Sequence, residues 1–272
     1  MERSYSQDIA RNHKHKTQRM KLFFREYGEG IPLVILHGLL GSSDNWLTQA
    51  KLLSPHYKIY TVDQRNHGQS PHDDVFDYAS MVDDLLEFLD EHNLTAPVLI
   101  GHSMGGKTVM NFALSHPERV SKLVVVDIAP RAYNLEHYKL VNAMIELPLT
   151  ELKSRHDADA QLATKVSEAD VRQFLLKNLQ RKAEGGFSWK VNLRVIREKL
   201  ANVGVDLIVE GNFDKPTLFI RGERSAYIRD SDWSAIKSRF PSASLETVDS
   251  GHWVQAEKPQ EFVNLLTQWL GQ

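Results

Sequence analysis

The sequence predicts an α/β fold: a mostly parallel central sheet with helices on both faces, interrupted late in the chain by a helical insertion. Three observations predict it. Short, continuously apolar runs such as Pro97–Ile100 and Leu123–Val126 suit strands covered on both sides. Stretches of helical period separate them; Tyr78–Glu91 carries Met81, Leu85, Phe88 and Leu89 on one face. The 272 residues, 42% hydrophobic and 25% charged, suffice to bury the core of one large domain.

In chain order, residues 1–19 are polar, rich in His, Lys and Arg, and lack the apolar centre of a secretory signal. They are read as a disordered leader, with His13 and His15 solvated. Lys21–Tyr27 and Pro32–Leu36 read as strands split by the turn Gly28-Glu-Gly30. Asp44–Leu53 reads as a helix, Lys58–Val62 as a strand, Tyr78–Glu91 as a helix, Pro97–Ile100 as a strand and Gly106–Leu114 as a helix ending before Pro117. Leu123–Val126, Pro216–Ile220 and Ser244–Val248 are the later strands, and Phe262–Leu270 closes the chain as a helix. Between Arg131 and Asp214 there is no buried-strand signal. Several helices are expected there, one beginning at a capping box of Ser167 and Asp170. An insertion this long is too large for a loop and predicts a helical lid over the strand ends. The expected division is 20–130 and 215–272 as two parts of one core, with 131–214 as the lid.

Composition narrows the function. With 33 Lys and Arg against 35 Asp and Glu the net charge is −2, which offers neither a nucleic acid nor an anionic membrane a basic surface. There is no cysteine for a disulfide, a thiolate zinc site or a nucleophile. No apolar run approaches the roughly 20 residues of a membrane span. A soluble cytoplasmic protein, monomer or homodimer, is expected.

The most informative stretch is Gly101-His-Ser103-Met104-Gly105-Gly106-Lys107-Thr108. As G-x-S-x-G it is a nucleophile elbow, a sharp strand-to-helix turn that lifts the serine hydroxyl above the sheet. As G-x-x-x-x-G-K-T it is a phosphate-binding loop, for which Val124-Val-Val-Asp127 resembles the magnesium-binding strand. Both need strand–loop–helix context, so the remaining sequence must separate them. The elbow requires three partners, and candidates for all three are present. An apolar strand running into His37-Gly38-Leu39-Leu40-Gly41 leaves the Leu39 amide to form an oxyanion hole with that of Met104. Gly251-His252-Trp253 supplies a histidine after the last strand, downstream of the serine. Asp127 supplies an acid at a strand's end between the two. The nucleotide reading explains none of these and lacks a base-recognition element.

Taken together, His37-Gly-Leu-Leu-Gly-Ser42, Asp63-Gln-Arg-Asn-His-Gly68-Gln-Ser-Pro71, Gly101-His-Ser-Met-Gly-Gly-Lys107, Val126-Asp-Ile-Ala-Pro130 and Gly251-His-Trp253 resemble the α/β-hydrolase-fold serine esterases. The nearest likeness is to the group of α/β-hydrolase domain-containing protein 11 and its bacterial esterase counterparts. It covers the chain from about Lys21 onward except the lid. Arg65-Asn-His-Gly68 and the trailing Gly106-Lys107 narrow it to this group. The resemblance implies an α/β-hydrolase fold and a cofactor-free serine carboxylesterase acting on small or medium acyl esters, with no metal. A carbon–carbon bond hydrolase, a lyase or a perhydrolase would use the same three residues. One departure matters: where many relatives carry Gly-x-x-Asp after the strand at Pro216–Ile220, this chain has Gly222-Glu-Arg-Ser225. Asp127 is the alternative acid position the resemblance implies, with Glu223 and Asp230 as competitors and Ser225 placed to help hold the histidine.

Ser103 is thus the expected nucleophile, His252 its base and Asp127 the orienting acid, although Asp127 also suits a turn or helix cap. His37 is expected to brace the oxyanion turn. His102 lines the pocket or packs, and His67 stabilises a turn or touches substrate. Trp46 and Trp253 serve equally well as walls of an acyl pocket or as core. Lys107, a cation in a helix's first turn, calls for an ion pair with a nearby acid, on the lid.

Overall fold

Alternation along the strands decides which helix packs where. In β2 (Ile31–Leu36), Leu33 and Ile35 face one side of the sheet while Val34 and Leu36 face the other, and all four are buried. The computed structural model describes residues 20–134 and 137–271; the leader 1–19, with His13 and His15, lies outside the described residues. The remaining strands are β1 (Phe24–Tyr27), β3 (Tyr57–Val62), β4 (Val98–His102), β5 (Lys122–Val126), β6 (Leu179–Arg181), β7 (Phe187–Trp189), β8 (Thr217–Gly222) and β9 (Ala243–Val248). Seven of them form a sheet in the order β1-β3-β2-β4-β5-β8-β9, parallel throughout except for β1, which runs antiparallel to β3.

The helices are α1 (Leu47–Leu53), α2 (Tyr78–Glu91), α3 (Met104–Ser115), α4 (His137–Ile145), α5 (Arg155–Leu162), α6 (Ala169–Leu176), α7 (Leu193–Lys199), α8 (Ala201–Gly204), α9 (Trp233–Arg239), α10 (Val254–Glu257) and α11 (Pro259–Leu270). One sheet face packs Val34, Leu99, Val125 and Phe219 against α2, α3 and α9. The other packs Leu33, Ile100, Val124 and Ile220 against α1, α10 and α11. Each such buried apolar side chain contributes about 2 kcal/mol, and packing on both faces holds the strands in place.

Between residues 131 and 214, helices α4 to α8 and a hairpin build a third core of their own. Val141, Leu162, Leu175 and Ile196 cluster there with Leu39, Leu40 and Met104 from the turns at the strand ends. The hairpin β6–β7 is a departure from the all-helical expectation. Its strands are three residues long and half-exposed, so they carry no apolar run, and Gly185 and Gly186 at positive φ close them. The expected box at Ser167 and Asp170 does not form: the N-cap of α6 is Glu168, without a side-chain bond. The capping box of this segment sits at Ser154 and Asp157, starting α5. Further upstream, Asp44–Leu53 divides into a 3₁₀ turn, Ser43–Trp46, followed by α1. Helix α3 begins at Met104, two residues before the expected start, because the elbow turns within Ser103 itself.

Candidate active site

At the end of β4 the chain reverses into α3 within one residue. Ser103 has φ 52° and ψ −116°, a conformation costing about 1–3 kcal/mol. The flanking glycines permit it: a Cβ on Gly101 would lie 2.2 Å from the Gly105 carbonyl, and one on Gly105 would lie 2.5 Å from that of Leu36. Backbone strain gathers around this point. Leu40, Asn66 and Asp127 also adopt positive φ, and all three flank the ends of β2, β3 and β5.

Asp127 follows β5 and is fully buried. Its Oδ1 accepts the Gly222 amide at 3.0 Å, and its Oδ2 accepts His252 Nδ1–H at 2.7 Å and the Ser225 hydroxyl. That bond places the proton on Nδ1 and leaves His252 Nε2 as a base. Ser225 therefore holds the acid and not, as expected, the histidine. Of the competing acids, Asp230 pairs with Arg221 at 2.6 Å and Glu223 is exposed. Tyr227 stacks on the His252 ring at 4.0 Å and 21°, a contact no motif announces.

His102 lies between the two halves of the site. Its ring is 4.6 Å from that of His252, and its Nε2 donates to the His252 carbonyl at 2.9 Å. Burial, then the neighbouring His252, drives its pKa well below the ordinary value, so it stays neutral. Among the described residues Ser103 Oγ makes no hydrogen bond; the structure joins acid to imidazole directly and leaves the imidazole–serine contact open.

The turn after β2 closes with Gly41 N–H donating to the Gly38 carbonyl at 2.9 Å. The Leu39 and Met104 amides are uncommitted among the described residues, and Met104 opens helix α3, whose dipole is positive at that end. His37 braces the turn as expected, donating from Nδ1 to Gly38 O at 2.8 Å while its Nε2 accepts the Gln64 amide at 3.0 Å. His67 is fully buried and bonds to the turn, its Nε2 accepting the Leu40 amide and its Nδ1 donating to the Arg65 carbonyl.

Burial pushes His37 down from 6.5 to about 4; burial, then His37 itself, takes His67 down to about 3. The unfolded chain takes up protons as pH falls through about 6.5 while the folded chain does not, so stability must fall with pH across that window. At about 1.4 kcal/mol per pH unit, His37 alone removes roughly 3 kcal/mol by pH 4. Thermal melting is expected to show Tm dropping steadily between about pH 7 and pH 4; a flat profile would mean these imidazoles protonate freely in the fold.

A cavity of about 280 Å³ opens beside Gly38 and His102, walled by Trp46, Phe174 and Trp253. Phe174 reaches it from α6 and packs on Trp253 at 5.0 Å. Trp46 is wall and core at once, since its ring also meets Phe262 at 5.8 Å. The phosphate-loop reading fails here. Thr108 Oγ1 donates to Gln64 Oε1 and Met104 O, while Lys107 Nζ donates to the Val205 carbonyl and lies over the rings of Tyr78 and Tyr133. Lys107 makes no close ion pair among the described residues; it grips a backbone carbonyl and two aromatic faces, while Asp206 of the insertion acts on its charge from farther away. Its burial lowers its pKa to about 8. Among the described residues no three His, Asp or Glu side chains converge as a metal site, and no helix is long and apolar enough to cross a membrane.

Comparison with known proteins gives the family. The profile of the α/β hydrolase fold family matches residues 31–259. The chain is 38% identical over 268 residues, 94% of its length and 86% of the relative's, to a Xenopus laevis protein named sn-1-specific diacylglycerol lipase ABHD11. It is 36% identical to esterase YbfF of Escherichia coli, covering 88% of this chain and 92% of that one. A solved esterase from a marine microorganism superposes with a TM-score of 0.89 at 41% identity, over 92% of this chain and 99% of the other. The likeness drawn from scattered motifs therefore holds at full length, and this chain belongs to the α/β-hydrolase fold family.

Proposed function

We propose that the protein is a serine carboxylesterase that cleaves small or medium acyl esters through an acyl-enzyme at Ser103. Its esterase- and lipase-type character rests on the family and on relatives that carry those names across most of their length. The observation that carries the mechanism is the His252 Nδ1–Asp127 Oδ2 bond at 2.7 Å, beside a serine held on a strained turn.

In this reading His252 Nε2 takes the Ser103 proton as Oγ attacks the ester carbonyl. Catalytic hydrogen bonds often tighten only with substrate bound, so a torsional swing of the serine completes the contact. The Leu39 and Met104 amides receive the oxyanion. The imidazolium then protonates the departing alcohol, and water repeats the sequence on the acyl-enzyme to release the acid. Asp127 keeps Nδ1 protonated throughout.

The aromatic walls of the 280 Å³ cavity, Trp46, Phe174 and Trp253, suit an acyl chain, and Asp170, Lys177 and Glu257 also line it. Residues 131–214 act as the lid, with Phe174 of α6 setting the pocket's depth. A fluorophosphonate probe should label the protein at Ser103, read by peptide mapping, and an ester series should show a rate maximum at short or medium chains. Labelling elsewhere, or no esterolysis, would refute the assignment.

A further inference from the structure

The loop Arg65-Asn66-His67-Gly68 takes no part in the mechanism above, yet it is built with unusual care. Arg65 makes a two-pronged ion pair with buried Asp84 of α2, at 2.6 and 2.7 Å, which fixes the loop to the core. His67 Nδ1–H donates to the Arg65 carbonyl at 2.9 Å, leaving Nε2 to accept the Leu40 amide at 3.1 Å. Leu40 is the strained residue of the oxyanion turn, with φ 59°.

The other end of Leu40 is held from the insertion. Asn178, buried between α6 and β6, donates from Nδ2 to the Leu40 carbonyl at 2.7 Å. Its own carbonyl accepts the Lys190 amide at 2.8 Å, which roots it in the β6–β7 hairpin. With N–H and C=O of Leu40 both fixed, and Gly41 N–H closing onto Gly38 O, the turn has one orientation left. The free Leu39 amide is aimed accordingly. A second tether joins the insertion to the His67 loop itself: Asn192 donates its amide to the Asn66 carbonyl and its Nδ2 to Asn66 Oδ1, both at 2.9 Å.

We infer that Asn178 is a positioning residue of the oxyanion hole: through its bond to the Leu40 carbonyl, opposite the His67 bond to the Leu40 amide, the insertion holds the Leu39 N–H on the developing charge. This rests on the esterase reading above. It makes the insertion part of the catalytic frame as well as a roof, so that loosening it should slow the chemistry without loosening substrate.

The test compares Asn178→Leu, which keeps the volume and loses the donor, with Asn178→Ser as a smaller second variant should the first not fold. Arg194→Ala serves as a control that cuts an exposed tether of the insertion to Asp74, away from Leu40, and Ser103→Ala as a control for the reading itself. Kinetics on a soluble ester are measured beside the inhibition constant of a trifluoromethyl ketone, whose hemiketal anion occupies the oxyanion hole. Removing an oxyanion donor outright lowers kcat by about 10²–10³-fold, so misaiming one is expected to lower it about 10- to 100-fold. KM should stay within about twofold, the ketone should weaken in parallel with kcat, and Arg194→Ala should remain near wild type. Folded Asn178 variants with unchanged kcat and ketone affinity would overturn the inference, as would an equal loss in Arg194→Ala. If Ser103→Ala still hydrolyses the ester, the esterase reading itself has failed, and the inference falls with it.

Discussion

Ser103→Ala is expected to lower kcat by about 10⁶-fold while leaving the fold intact. The size follows from what is lost. Without Oγ there is no covalent route, and His252 has nothing to deprotonate except a water that the site does not position. What survives is binding and the oxyanion hole, which still exceed the uncatalysed rate by about 10³–10⁴-fold. The strained φ of 52° persists with alanine, so stability should barely move. Steady-state kinetics on a purified variant with an unaltered melting curve checks this; a loss of less than about 100-fold would place the nucleophile elsewhere.

Asp127→Asn is expected to lower kcat by about 10⁴-fold. The reason is a proton in the wrong place. Gly222 N–H points at Oδ1 and requires an acceptor there, so the asparagine must present its NH₂ group where Oδ2 stood. His252 Nδ1 would then have to accept, which moves the ring proton to Nε2, and a protonated Nε2 cannot take the serine's proton. Ser225, now a donor to Oδ2, can turn and accept, so the site stays folded and the damage is confined to the tautomer. Glu223→Gln and Asp230→Asn should remain near wild type, since one is exposed and the other is committed to Arg221. A normal rate in Asp127→Asn would reduce that residue to a turn former.

Legibility followed the range of the interactions. Strands β2, β4, β5 and β8 were readable because burial on both faces demands uninterrupted apolar residues, a demand met within five or six positions. The elbow was readable because close backbone approach excludes every side chain at Gly101 and Gly105. The β6–β7 hairpin was not: three-residue strands on a half-exposed surface need no apolar alternation. Nor was the fate of Lys107, since a cation buried in a helix's first turn demands compensation but does not say whether a carboxylate, a carbonyl or a ring supplies it.

By itself, the sequence determined the α/β class, the elbow at Ser103, the histidine at 252 and the absence of an aspartate at position 225, because each is a local requirement of backbone geometry or residue chemistry. Only the tertiary structure decided that Asp127 meets His252, that Ser225 serves the acid, that Tyr227 covers the imidazole and that Asn178 reaches across to Leu40. Those contacts join residues up to 138 positions apart. Their partners are chosen by how the packed layers bring strand ends and insertion together, and no stretch of chain records that choice on its own.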